Sequence, residues 1–294
     1  MDSGEIMTEI FETNYPGFFD LAREREQIRL RRLANEAPPW TKDAVLRDYR
    51  FCNVHRRLDK VSEWLCASVY DRLEDQPQIF LTTILARWIN KLETLQAIQP
   101  YLLGDDGFDV RGVLKAIHRA GAPVFGSAYI IQSPTGKDKI DGILWAFEQI
   151  KARWQEGYQI ALETNSMEKV HEWLLQFPHM GPFMAYQVVC DLTYGWLLSR
   201  AVDKMDWTVA GPGAARGLGW LVHDDPAAFS YTVAKDQIVM RAWMYDLLKL
   251  SQAEALWPQA AGPWELATVQ HWSCEYAKWR AGHSGERLKR KFQV

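Results

Sequence analysis

The sequence predicts an all-α (mainly α) fold, and three observations carry that prediction. Apolar residues recur at spacings of three and four along most of the chain, the period of a helix with one buried face. Strand-like segments are nearly absent, which argues against a parallel nucleotide-binding sheet. Proline and glycine cluster at the breaks between periodic segments, as at Pro38-Pro39 and Pro178 to Gly181, where they end helices rather than interrupt them.

The elements follow in order. Phe18 to Asn35 reads as a charged amphipathic helix ended by Pro38-Pro39. Thr41 fits an N-cap, with Asp43 in the first turn of the helix it opens. Asn53 to Tyr70 carries Val54, Leu58, Val61, Leu65 and Val69 at helical spacing, a core-facing stripe. Ile79 to Leu95 and Gly112 to Arg119 read as helices. Gly121 to Gly142 reads as a loop with a short extended piece at Ala128 to Ile131. Ile140 to Thr164 and Ser166 to Phe177 are helical, and a further helix runs to about Tyr194. Trp207 to Leu218 reads as glycine-rich and irregular. The remainder is helical up to a basic tail. No internal repeat, low-complexity segment or Walker-type loop is present.

The bulk composition narrows the function. A chain of 294 residues with 48% hydrophobic content can form one large domain or two modest lobes around a cleft. The expected organisation is an N-terminal helical extension over 1–40 and a main helical domain over 41–294. A net charge of −3 argues against indiscriminate coating of nucleic acid, while Arg23 to Arg32 and Arg280 to Lys291 are locally basic. Fourteen Trp can serve as core or as flat platforms for bases. Cys52, Cys66, Cys190 and Cys274 form no metal-like pairs and read as free thiols in a reducing compartment. The acidic, polar start Met1 to Thr13 is unlike a signal peptide, and no apolar run is long enough to span a membrane.

Phe177-Pro-His-Met-Gly181-Pro-Phe-Met-Ala185 is the most informative local pattern. An apolar residue, proline, two residues, glycine and a new helix make a helix-hairpin-helix at 177–185. Its backbone N–H groups and helix N-terminus suit a DNA phosphate; an ordinary connection between packed helices has the same residues. DNA glycosylases of the helix-hairpin-helix class have a similar hairpin, followed by a catalytic Asp roughly twenty residues on. Asp203 and Asp206 both fall in that window. Phe183 stands where a lyase carries lysine, which speaks against Schiff-base chemistry.

Three further segments carry a wider resemblance: Tyr49-Arg-Phe-Cys-Asn53-Val-His-Arg56-Arg-Leu-Asp59, Asp206-Trp207-Thr-Val-Ala-Gly211-Pro-Gly213-Ala-Ala-Arg216-Gly-Leu218, and Gln270-His271-Trp-Ser-Cys274-Glu275-Tyr-Ala-Lys278-Trp279. Their order and spacing over about Thr41 to Phe292 resemble the alpha-glutamyl/putrescinyl thymine pyrophosphorylase group. That group includes phage amino acid:DNA transferases and the helical domain of 5-hydroxymethyluracil DNA kinases. The resemblance implies a DNA-glycosylase-like fold, with double-stranded DNA containing a modified pyrimidine as substrate and an amino acid or polyamine as co-substrate. It implies release of pyrophosphate, a leaving group that Mg²⁺ commonly accompanies, and it names no certain cofactor. No kinase segment accompanies these motifs, so a freestanding transferase fits better than a kinase accessory module. The expected setting is the cytoplasm (the host's, if the source is viral), with no membrane partner.

Such a transfer needs an unstacked base, a cationic home for the leaving pyrophosphate and a base that takes the amine proton. Asn53, Arg56, Arg57 and Lys60 fall on one face of the expected helix. Arg56 is the candidate grip on pyrophosphate, Asn53 reads a uracil edge or orients Arg56, Arg57 contacts DNA, and Asp59 pairs with Arg56; a solvated charged face is the plain alternative. Asp206 is the candidate base or amine-orienting carboxylate, with Asp203 as its alternative. Trp207 is a candidate substrate contact. Gly211, Gly213 and Arg216 suit a phosphate nest or a simple turn. His271, Glu275 and Lys278 share one face of a helix, with Glu275 catalytic and the other two flanking the pocket, or with Glu275 and Lys278 merely paired. His271 and Glu275 resemble half a metal site, but no second pair completes it, so no metal is expected. Two further readings stay open: a glycosylase acting on a modified base, and a non-catalytic DNA-binding module.

Overall fold

The computed structural model describes residues 3–127, 138–289, 291 and 292. Among these residues there are fourteen α-helices, and the β pairing is an isolated bridge between Tyr49 and Lys291. The chain divides into two compact units: residues 1–56 with 205–294, and residues 57–204.

The first unit begins with α1 (Ser3–Leu33), which starts well before the expected Phe18 and carries Pro16 within it. Its Phe11, Phe18, Phe19, Ala22 and Ile28 are buried. The helix stops where Asn35 turns left-handed at φ 55° and the Glu36 N–H bonds back to the Arg31 carbonyl, a closure that asparagine tolerates. In α2 (Ala44–Asp48) the cap is Asp43 rather than Thr41. Thr41 instead accepts the Asp43 N–H, at 3.1 Å.

The second unit opens differently from the expected single helix over 53–70. Residues 53–55 are not helical, Arg56–Leu58 form a 3₁₀ turn, α3 spans Lys60–Leu65, and Cys66–Tyr70 widen into a π-helical turn. The unit continues with α4 (Ile79–Ile89), α5 (Leu92–Ala97), α6 (Gln99–Leu102), α7 (Val110–Arg119), α8 (Lys139–Lys151), α9 (Trp154–Thr164), α10 (Met167–Leu174) and α11 (Pro182–Leu192). Left-handed Asn90 splits the segment expected to be one helix over 79–95. The piece expected to be extended at Ala128 to Ile131 lies outside the described residues. An ion pair locks α4 to α11: Arg87 Nε donates to Asp191 Oδ2 at 2.6 Å, and both side chains are 2% exposed.

The chain then returns to the first unit. The segment expected to be irregular over 207–218 instead opens a helix, with Gly211 as N-cap and Pro212 in the first turn of α12 (Pro212–His223). Pro suits this place because its missing N–H has no helical partner to lose. After α13 (Ala234–Leu250) comes α14 (Leu266–His283), closed by a capping box between Glu265 and Thr268. Trp272 and Tyr276 of α14 are buried against α1 and α12, and the Trp272 indole donates to the Phe18 carbonyl at 3.0 Å. Residues from both ends of the sequence therefore share one core.

Candidate active site

Helix α14 sets out His271, Cys274, Glu275 and Lys278 at offsets of zero, three, four and seven, so one face carries them all. The segment 50–56 lies across that face. Glu275 Oε2 accepts the Cys52 N–H at 3.2 Å and the Lys278 ammonium at 2.8 Å. Lys278 also donates to the Arg50 carbonyl and rests 4.0 Å from the centre of the Phe51 ring. Arg56 is 5% exposed, and its Nη1 lies 2.8 Å from His271 Nε2. Asn53 is held from α1, where Arg25 donates to its Oδ1 at 2.7 Å and to the Phe51 carbonyl at 3.3 Å.

Cys274 marks the centre of this arrangement. Its side chain reaches solvent, yet protein crowds it closely. Burial, reinforced by the neighbouring Glu275, pushes the thiol up to about 12 against the opposing pull of Lys278, Arg56 and Arg216. The thiol thus sits in a charged cluster of three cations and one carboxylate. At neutral pH it is protonated, so it is no ready nucleophile.

The structure brings together Asn53, Arg56, Gly213, Arg216, His271, Glu275 and Lys278. Other expectations change. Asn53 and Arg56 share no helical face, because residues 53–55 are pulled out of helix. Arg57 and Asp59 belong to the other unit, Arg57 exposed and Asp59 at the N-cap position of α3. Trp207 is 5% exposed, so its ring packs in the core and presents no open face to a base. Gly211 and Gly213 form no irregular nest: they start α12, and a Cβ on Gly213 would fall 2.2 Å from Cys274 Sγ. Arg216 pairs with Glu286 at 3.0 Å. Asp206 is exposed in the turn before α12. Asp203, its alternative, is a helix cap. Its two oxygens accept from the Ser166 hydroxyl at 2.7 Å and from the N–H groups of Met167 and Glu168 at 2.8 and 2.9 Å.

In the second unit α10 and α11 pack together through the turn 175–181, and the His171 ring lies 2.9 Å from the Pro182 carbonyl. Gly181 has φ −62°, and the left-handed residue of the turn is His179 at φ 62°. Gly181 is therefore not required by backbone conformation. What its missing side chain leaves is open space at the start of α11.

Sequence reasoning missed Arg25, Arg50, Phe51 and the role of Cys274. Their contacts cross up to 228 positions of sequence, which no local pattern reports. Among the described residues no three His, Cys, Asp or Glu side chains gather as a metal site, and no helix is long and apolar enough to cross a membrane.

An all-α protein with a mainly cationic cluster around one carboxylate on α14 is the class these features define. The chain belongs to the family of the helical domain of 5-hmdU DNA kinase, whose model matches residues 12–286. It is 27% identical over 305 aligned positions to a 5-hmdU DNA kinase of Bacillus phage SP10, an alignment covering 94% of this chain. The chain spans about half, 46%, of that relative's length. No solved structure matches it.

Proposed function

We propose that this protein acts in thymine hypermodification of phage-type DNA, transferring an amine to the 5-methylene carbon of pyrophosphorylated 5-hydroxymethyluracil. The reading rests above all on the charged cluster around Cys274, where Arg56, Arg216, Lys278 and Glu275 all act on the thiol and Lys278 holds Glu275. A pyrophosphate leaving group needs fixed cations in a partly dehydrated place. A neutral amine attacks the methylene carbon, the C–N bond forms as the C–O bond to pyrophosphate breaks, and the nitrogen's surplus proton passes to a carboxylate. Glu275 is assigned that proton. Asp206, exposed at the entry to α12, is assigned to steer the amine's approach. The donor is an amino acid or polyamine. Mg²⁺ arriving with pyrophosphate would be ligated by phosphate oxygens and water.

Membership in the kinase helical-domain family and the phage relative support a DNA substrate carrying a modified pyrimidine. The hairpin-like turn before α11 is assigned to the DNA backbone, with the target base extruded from the stack. The test is duplex DNA containing 5-pyrophosphoryloxymethyluracil, incubated with single amines and digested to nucleosides. A mass gain matching one amine, with the glycosidic bond intact, is expected. Abasic sites in place of that product would show a glycosylase, and unchanged nucleosides with every amine would leave a binding module.

A further inference from the structure

We propose that a pocket of the first unit, beside the charged cluster on α14, is a nucleotide-binding site that stacks a base and holds its phosphate. The pocket encloses about 460 Å³ between α1, α2 and the chain end, enough for one nucleotide. Its walls are aromatic: Trp40, Tyr49, Phe51 and Phe292 all line it. Its charges are arginines, and no Asp or Glu is among the described lining residues. Flat rings with guanidinium groups and no carboxylate match a planar, anionic ligand better than an apolar or cationic one.

The arginines differ in availability. Arg47 is engaged with Asp48 at 2.8 Å. Arg32 stacks on Trp40 and Phe292, 5.3 and 5.4 Å from the ring centres, which makes a plate for a base. Buried Arg25 backs the pocket and is fixed by Phe51 and Asn53. Arg50 is exposed at the pocket, so its fork is ready for phosphate. Phe51 ties the pocket to the charged cluster, since its ring also carries Lys278. Nothing in this inference requires the transfer chemistry, because unmodified thymine nucleotides suffice to test it.

The ligand has two sources, a free nucleotide or a nucleotide within a DNA strand. Calorimetric titration of the full chain with thymidine, thymidine monophosphate and single-stranded oligothymidylate separates them. Binding of the monophosphate about tenfold tighter than thymidine is expected if the source is free nucleotide. Binding confined to the oligomer identifies the strand. Arg50→Gln is expected to weaken the bound phosphate form about tenfold, and Tyr49→Leu to weaken it by a similar factor through lost stacking. Circular dichroism melting of both variants checks that the fold is kept, and Arg50→Gln changes an exposed side chain while leaving the carbonyl that receives Lys278. No binding of any of the three ligands, or unchanged affinity in a folded Arg50→Gln, would overturn the proposal.

Discussion

Arg56 shows what the charged cluster demands of single residues. Burying a guanidinium costs several kcal/mol unless partners receive it, and His271 stands 2.8 Å away. Glu275 is placed differently. It is held by a backbone N–H and by Lys278, contacts that orient one oxygen while leaving the other for a proton. If Glu275 is the base, Glu275→Gln should lower single-turnover amine transfer about 10²–10⁴-fold, the usual worth of a positioned general base, with DNA affinity nearly unchanged. Asp206→Asn should act on the amine: a raised KM for the donor, seen in initial rates across donor concentrations, is expected. Loss of turnover in Asp206→Asn with full activity in Glu275→Gln would exchange the two roles.

Helix packing explains which glycines matter. A Cβ on Gly217 would fall 2.0 Å from the Ser273 carbonyl oxygen, so α12 and α14 touch backbone to backbone there. Gly217→Ala should therefore lower the melting temperature sharply, because rigid backbone on both sides cannot yield. Capping supplies a second test. Asp43 accepts from the Leu46 N–H at 2.8 Å and the Trp279 indole at 2.9 Å, and His283 Nε2 lies 3.0 Å away, which joins α2 to α14. Burial opposes its charge, but those three partners outweigh it and hold the carboxyl below its ordinary 3.8. A depressed carboxyl stabilises the fold above its unfolded pKa, and that contribution is lost as pH falls through the folded value. Asp43→Asn should thus melt lower than the parent at neutral pH, and the difference should shrink in acid below about pH 4. A constant difference across that range would assign the effect to packing.

The same scale shows how much was legible in the sequence. The α14 face was readable because His271, Glu275 and Lys278 are local neighbours at helical spacing. The cap of α10 was not, since Asp203 lies 36 positions from the Met167 N–H that it accepts. The helix expected from Asn53 fails for a tertiary reason. Arg25 on α1 holds the Phe51 carbonyl and the Asn53 side chain, which overrides the apolar stripe that begins at Val54. The glycines at 211 and 213 were misjudged because composition alone cannot tell a nest from a helix start. Buried Trp207 shows the same limit for aromatic residues, whose core and ligand roles look alike in sequence.

At the scale of the whole molecule, the first unit is closed by both ends of the chain. The expected boundary at residue 40 falls between α1 and α2, both within that unit, and the family match already begins at residue 12. Burial of Phe11, Phe18, Phe19 and Ile28 contributes about 1.5–3 kcal/mol per side chain, against a typical total stability of about 5–15 kcal/mol. Removing residues 1–34 should therefore abolish cooperative thermal unfolding of the first unit, and a truncated chain with an undiminished transition would show that α1 is dispensable. The most direct test is single-turnover pyrophosphate release from DNA carrying the pyrophosphorylated base, comparing the parent with Arg56→Ala at DNA concentrations that saturate both. Release slowed about 10²–10³-fold, the worth of one lost charge-stabilising donor, with plain-duplex affinity preserved, is the expected result. Equal release rates would contradict the account and place the leaving group elsewhere.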